Sequence, residues 1–254
     1  MKVRVLGSGT SSGVPRIGND WGACDPADPR NRRTRVSILV ETATTRILVD
    51  TGPDMREQLL AADVSTLDAV IWTHDHADHT HGIDDLRQVF HAMGRPVRCF
   101  ARMWTARSLR GRFGYVFEGT SGYPATATIE DLADTLTIGD IALRIADQPH
   151  GKITSAGLRF EADEVALGYA TDLNDMTDDV AAIYKNLDLW IVDALRERVH
   201  PSHADLAMTL GWIDALKPRR ALLTHMDQSM DYETLRAELP PGIEPAYDGL
   251  EVIL

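Results

Sequence analysis

Three histidines and two aspartates crowd into His74-Asp75-His76-Ala77-Asp78-His79, directly behind the apolar run Ala69-Val70-Ile71-Trp72. Imidazole nitrogens and carboxylate oxygens together suit zinc, manganese or iron, and such a site needs no thiolate. Residues two apart on an extended segment share a face, so His74 and His76 are expected to aim at one point. Asp78 and His79 fall past the strand end, where a turn into a helix would aim them at a second point. His-rich surface loops are the plain alternative, but they rarely follow a buried strand with acids alternating between the histidines.

Elements that must position this cluster can be read from the pattern around it. Val3–Leu6 alternates like a short strand and stops at the glycines of Gly7-Ser8-Gly9-Thr10-Ser11-Ser12-Gly13. Val36–Glu41 and Arg46–Asp50 read as two strands joined by a Thr-rich turn. Pro53 then opens a helix at Met55–Ala62. Ala69–Thr73 has the continuous apolar character of a buried strand. Helices are expected at Gly82–Ala92, Trp104–Arg112, Asp178–Asn186 and Ala204–Leu216. Further strands are expected at Leu136–Ile138, Ala142–Ala146, Val165–Ala170, Leu189–Val192 and Ala221–Thr224. Strands dominate the front and strand–helix alternation the back, which fits sheets with helices packed outside, an α/β sandwich. No linker, repeat or low-complexity stretch interrupts the pattern, so one domain over residues 1–254 is the simplest organisation.

The composition is ordinary for a folded protein: 254 residues, 44% apolar and 25% charged. A net charge of −12 works against indiscriminate binding to nucleic acid or anionic membrane, where a basic patch should dominate. It is compatible with a small phosphorylated substrate, because bound metal supplies local positive charge. Cys24 and Cys99 form no CxxC pair and are expected to be unpaired thiols in a reducing compartment. No stretch has the length and apolarity of a signal peptide or a membrane span, and a cytoplasmic location is expected.

The sequence His74-x-His76-x-Asp78-His79 resembles the HxHxDH signature of the metallo-β-lactamase superfamily. That resemblance implies a four-layer αββα sandwich with a dinuclear metal site at the edge of two sheets. It also calls for a lone histidine, a lone aspartate and a last histidine, each behind a strand. His150 follows the strand-like Ile141–Ala146, Asp172 ends Leu167–Asp172, and His225 ends Ala221–His225. By resemblance, one divalent ion takes His74, His76 and His150, the other takes Asp78, His79 and His225, and Asp172 bridges them. His81, His91 and His200 have no place in that set. Two ions roughly 3.5–4 Å apart share a water, present hydroxide at neutral pH and polarise a phosphoryl or carbonyl oxygen. Asp78 or Asp172 would orient that hydroxide. His203, in Ser202-His203-Ala204-Asp205, resembles a histidine of the superfamily's phosphodiesterases and is the candidate acid for the leaving oxygen.

The finer matches favour one branch. Gly7–Pro15, Asp50–Arg56, Gly82–Arg87 and Leu223–Met226 resemble the phosphodiesterases of phosphonate degradation, which open a phosphoribosyl 1,2-cyclic phosphate. The implied activity is hydrolysis of a small cyclic phosphate or nucleotide-like diester with zinc or manganese. A homodimer is the implied assembly, with no membrane and no stable nucleic-acid partner. That branch's cysteine-rich segment, which holds a structural zinc, is reduced here to Trp21-Gly22-Ala23-Cys24-Asp25-Pro26, so the extra zinc is not carried over. Transfer-RNA 3′-end nucleases resemble the same opening but insert an arm between the lone histidine and the bridging aspartate. Only 22 positions separate His150 from Asp172. Thioesterases and non-catalytic, cofactor-pathway binding proteins share the scaffold and are the alternatives.

Overall fold

A computed structural model describes all 254 residues. The strands of the first half are β1 (Lys2–Gly7), β2 (Ser37–Glu41), β3 (Arg46–Val49), β4 (Ala69–Trp72), β5 (Val97–Ala101) and β6 (Ala127–Asp131). Those of the second half are β7 (Thr135–Ile138), β8 (Ile141–His150), β9 (Ile153–Ala162), β10 (Val165–Ala170), β11 (Leu189–Asp193), β12 (Ala221–Thr224), β13 (Ile243–Pro245) and β14 (Glu251–Ile253). They form two seven-stranded sheets, ordered β14-β1-β2-β3-β4-β5-β6 and β13-β12-β11-β10-β9-β8-β7.

Both sheets follow one plan. Each begins with antiparallel hairpins, β1-β2-β3 and β7-β8-β9-β10, and continues with parallel strands. Parallel neighbours need a crossover, which helices provide. The helices of the first half are α1 (Met55–Ala61), α2 (Ala77–Thr80), α3 (Leu86–Met93) and α4 (Met103–Glu118). Those of the second are α5 (Asp178–Ile183), α6 (Leu206–Leu216) and α7 (Tyr232–Glu238).

Period-2 alternation divides the apolar side chains between two faces of each sheet. Val5, Ile38, Val49 and Ile71 meet Leu158, Phe160, Tyr169 and Ile191 in a core between the sheets. The outward face of the first sheet, with Leu48, Val70 and Trp72, packs on Met55, Leu86 and Leu109 of the helices. The outward face of the second, with Trp190 and Val192, packs on Val180, Ile213 and Leu235. This is the four-layer αββα sandwich that the motif implied. Each such aliphatic side chain contributes roughly 1.5–3 kcal/mol on leaving water, so the strand ends are held by a rigid platform.

Several elements differ from the sequence reading. Helices α1 to α4 intervene throughout the front half, so strands do not dominate it. Strands β5, β6, β9, β13 and β14 and helix α7 went unread. Strand β9 escapes because its alternation is weak and Gly157 sits inside it. A Cβ there would lie 2.4 Å from the Tyr184 hydroxyl and 2.6 Å from Gln148 Oε1, so only glycine leaves room. That hydroxyl lies 2.8 Å from Gln148 Oε1 and 2.9 Å from the Tyr169 carbonyl, tying β8 to β10.

Cys24 and Cys99 are buried, unpaired and apart from the histidine clusters. Arg33, 1% exposed, donates to the carbonyls of Asp227 at 3.1 Å and Met230 at 2.6 Å. It therefore anchors the opening loop to the segment behind β12. Arg35 pairs with Asp54 at 3.0 Å. No helix is long and apolar enough to cross a membrane.

Candidate metal centre

The cluster gathers where strands end, on one edge of the sandwich. His74 follows β4, His150 closes β8, Asp172 follows β10, Asp193 closes β11 and His225 follows β12. Asp50, Asp172 and His225 have positive φ values of 66°, 57° and 59°. A left-handed residue turns the chain sharply at the strand end. It is costly outside glycine and tends to persist where function demands it. Contrary to the expectation from spacing, His74 and His76 do not share a strand face. Strand β4 stops at Trp72, and His76 is the residue before α2, with φ −63° and ψ 155°. The two rings nevertheless meet edge to face at 4.5 Å.

Asp172 lies at the centre, and its two oxygens face different partners. Oδ1 is 3.8 Å from His74 Nε2 and 3.5 Å from His150 Nε2. Oδ2 is 3.1 Å from His79 Nε2 and 3.6 Å from His225 Nε2. Asp78 Oδ2 completes the second set, 3.5 Å from His79 Nε2 and 3.7 Å from His225 Nε2. His76 Nδ1 lies 3.3 Å from His150 Nε2, closing the first. The structure thus brings together all seven residues expected as ligands, in two groups that meet at Asp172. His81 and His91 stay outside, His81 against Phe113 at 5.7 Å and His91 exposed on α3.

Backing residues decide which nitrogen of each ring is free. His79 Nδ1 is 2.7 Å from Asp50 Oδ2, and His150 Nδ1 is 2.7 Å from the Ser202 carbonyl. Each Nδ1–H donates outward, so Nε2 is the nitrogen turned toward the cluster. The Nε2 atoms of His74, His79 and His225 are buried with no hydrogen-bond partner. A buried polar atom without a partner costs about 1–3 kcal/mol, so three at one point fit a cation there. Burial, then repulsion from His79, holds His74 well below the ordinary histidine pKa, ready to ligate. Burial opposes charge on Asp172, but His225, His79 and His74 outweigh it and keep the carboxyl well below the carboxylate range. Asp78 is also held low, its burial overcome by His79 and His225.

Asp50 and Asp193 were missed by the sequence reading. Asp50 also accepts from the Thr73 backbone N–H at 2.8 Å, fixing the start of the histidine segment. Asp193 Oδ2 accepts from His203 Nδ1 at 2.9 Å, and its Oδ1 lies 3.8 Å from His225 Nδ1. The available signal was an aspartate directly behind a buried strand, the same setting as Asp172. His203 stacks on His225 with ring centroids 4.8 Å apart, and its Nδ1 is 3.7 Å from Asp172 Oδ1. Asp172, His203 and His225 therefore also form a three-donor group. His203 differs from His79 and His150 in turning to Asp172 the same Nδ1 that Asp193 engages, rather than Nε2.

The metal-free cluster has a defined pH response. Burial disfavours charge on His225, but Asp172, Asp78 and Asp193 outweigh it and raise its pKa to about 9. Relative to the ordinary 6.5, that raised value stabilises the metal-free fold below pH 6.5, and the contribution is lost as pH rises through about 9. Metal must displace the same proton at neutral pH. Zinc binding at pH 7 should therefore release protons from His225 and from His79, which is also raised well above the ordinary histidine value, and affinity should climb at least to about pH 9. Calorimetry in two buffers of different ionisation enthalpy reads the released protons; a buffer-independent heat would show both rings already neutral.

Residues 45–226 match the β-lactamase superfamily domain, and the chain belongs to that superfamily. Within it, the structure is similar to a diphosphatase from the PhnP family, with a TM-score of 0.91, 32% identity, and coverage of 100% of this chain and 97% of that one. Two curated relatives are an octanoyltransferase of Porphyromonas gingivalis and the exodeoxyribonuclease WalJ of Streptococcus pneumoniae. The first is 34% identical, covering 100% of this chain and 52% of the relative; the second is 26% identical, covering 62% and 57%. The chain spans about half the length of these curated relatives.

Proposed function

We propose that the chain is a dinuclear metal-dependent phosphodiesterase acting on a small cyclic phosphate or nucleotide-like diester. The observation that supports it most is the division of Asp172, Oδ1 toward His74 and His150 and Oδ2 toward His79 and His225. Such a carboxylate suits two ions, held by His74, His76 and His150 on one side and by Asp78, His79 and His225 on the other. Bound zinc or manganese would supply Lewis acidity to the phosphoryl oxygen and lower the pKa of a water.

The protein's own residues do the rest. Asp78 and Asp172 offer carboxylate oxygens that orient the attacking water by hydrogen bonding. Asp193 engages His203 Nδ1, which leaves Nε2 as the ring atom that carries a proton to the leaving oxygen. The His203 loop is pinned for this task, because the Ala204 N–H donates to the Leu173 carbonyl at 2.7 Å and Asp205 caps α6 through the Met208 N–H at 2.9 Å. The similarity to a diphosphatase and to an exodeoxyribonuclease supports a phosphorus-centred reaction.

Metal analysis of the purified protein, paired with turnover of bis-p-nitrophenyl phosphate with and without added manganese or zinc, tests the proposal. About two ions per chain and metal-dependent cleavage are expected. Two ions without cleavage would overturn the phosphodiesterase reading, and failure to take up metal after reconstitution would overturn the dinuclear centre.

A further inference from the structure

Beside the histidines lies a cavity of about 610 Å³, bounded by Asp75, by Arg102, Trp104 and Thr105 at the start of α4, and by Pro149 and Gly151–Thr154 of the β8–β9 turn. Three of its wall residues are chain neighbours of the candidate ligands. Asp75 stands between His74 and His76, while Pro149 and Gly151 bracket His150. Its volume falls within the ordinary range for small-molecule sites.

Arg102 and Asp75 are already committed to partners within the protein. Arg102 pairs with Asp134 and Asp147, both at 2.8 Å, and Asp75 accepts from Ser108 and faces Arg112. Lys152, two residues after His150, is exposed and makes no ion pair. Trp104 is 69% exposed although it is the largest apolar group of the wall, and Ile153 opposite is 40% exposed. The indole has only Arg107 near its ring, at 5.7 Å. An uncovered indole and a free cation in one cavity, beside a candidate anion-handling centre, suit a ligand with a flat ring at one end and phosphate at the other. Aromatic faces stack any nucleobase, whereas a bare sugar phosphate has no aromatic ring to place there.

The geometry points to a nucleobase subsite: Trp104 stacks the base of a nucleoside phosphodiester whose phosphate lies at the histidine cluster, with Lys152 beside it. This deepens the phosphodiesterase proposal and rests on it for the position of the phosphate.

Calorimetric titration of the metal-loaded protein with thymidine 5′-monophosphate and with ribose 5-phosphate tests it without any turnover. The wild type should bind the nucleotide about tenfold more tightly. Trp104→Ala should abolish that preference while leaving ribose 5-phosphate unchanged, and Trp104→Phe should keep most of it. Equal affinity for the two ligands in the wild type, or an undiminished preference in Trp104→Ala, would overturn the subsite. A Trp104-dependent preference in a protein that cleaves no diester would support the subsite and refute the catalytic reading. Diester cleavage with no preference for the base would do the reverse.

Discussion

Replacing Asp172 by alanine is expected to lower diester hydrolysis by well over a hundredfold and to release metal. Changes to residues that merely back a ligand cost about 10–100-fold in affinity or activity, and Asp172 faces both donor groups itself. Its loss also removes the charge that holds His79 and His225 protonated in the metal-free cluster, leaving five histidine rings around an unfilled space. Alanine is strained at a φ of 57°, so a folding defect could mimic the result. Asp172→Asn separates the two effects. Asparagine tolerates the left-handed region and keeps the shape, yet presents one amide in place of a second oxygen. Asp172→Asn should unfold near the wild-type temperature, hold less than the full metal complement and remain nearly inactive. A fully metallated, active Asp172→Asn protein would remove the bridging role.

The second large effect concerns His203 and has a different signature. His203→Ala should retain both metals, because the His203 nitrogen nearest Asp172 is Nδ1, which Asp193 already engages, while the unpartnered nitrogens belong to other rings. General acid catalysis is worth about 10²–10⁴-fold where the leaving oxygen needs a proton. Alkyl diesters should therefore slow on that scale, while p-nitrophenyl esters, whose anion departs unaided, should slow far less. The ratio of the two rates is the readout, with metal content measured on the same sample. Equal slowing of both substrates would assign His203 to binding rather than proton transfer, and loss of metal would make it a ligand.

The sequence was most informative where chemistry demands particular residue types. Five metal-competent side chains in six positions behind Ala69–Trp72 are hard to reconcile with packing alone, and His150, Asp172 and His225 stand in the matching places. It was least informative for carboxylates that act on other side chains. Asp50 contacts a ring 29 positions away, and Asp193 one 10 positions away. An aspartate behind a strand looks the same whether it meets a ring or water. Trp104 was read only as the start of a helix, because a helix-terminal tryptophan reveals its exposure only when its neighbours are placed.

By itself the sequence determined the candidate ligand types, their order along the chain and the strand ends that carry them, since these depend on local pattern and coordination chemistry. Tertiary structure alone decided that Asp172 turns one oxygen to each group, that Asp50 and Asp193 orient His79 and His203, and that Trp104 stands exposed in one cavity with the β8–β9 turn. Those are facts of distance and direction between residues far apart in the chain. They come into being only when the two sheets pack and bring their strand ends to a single edge.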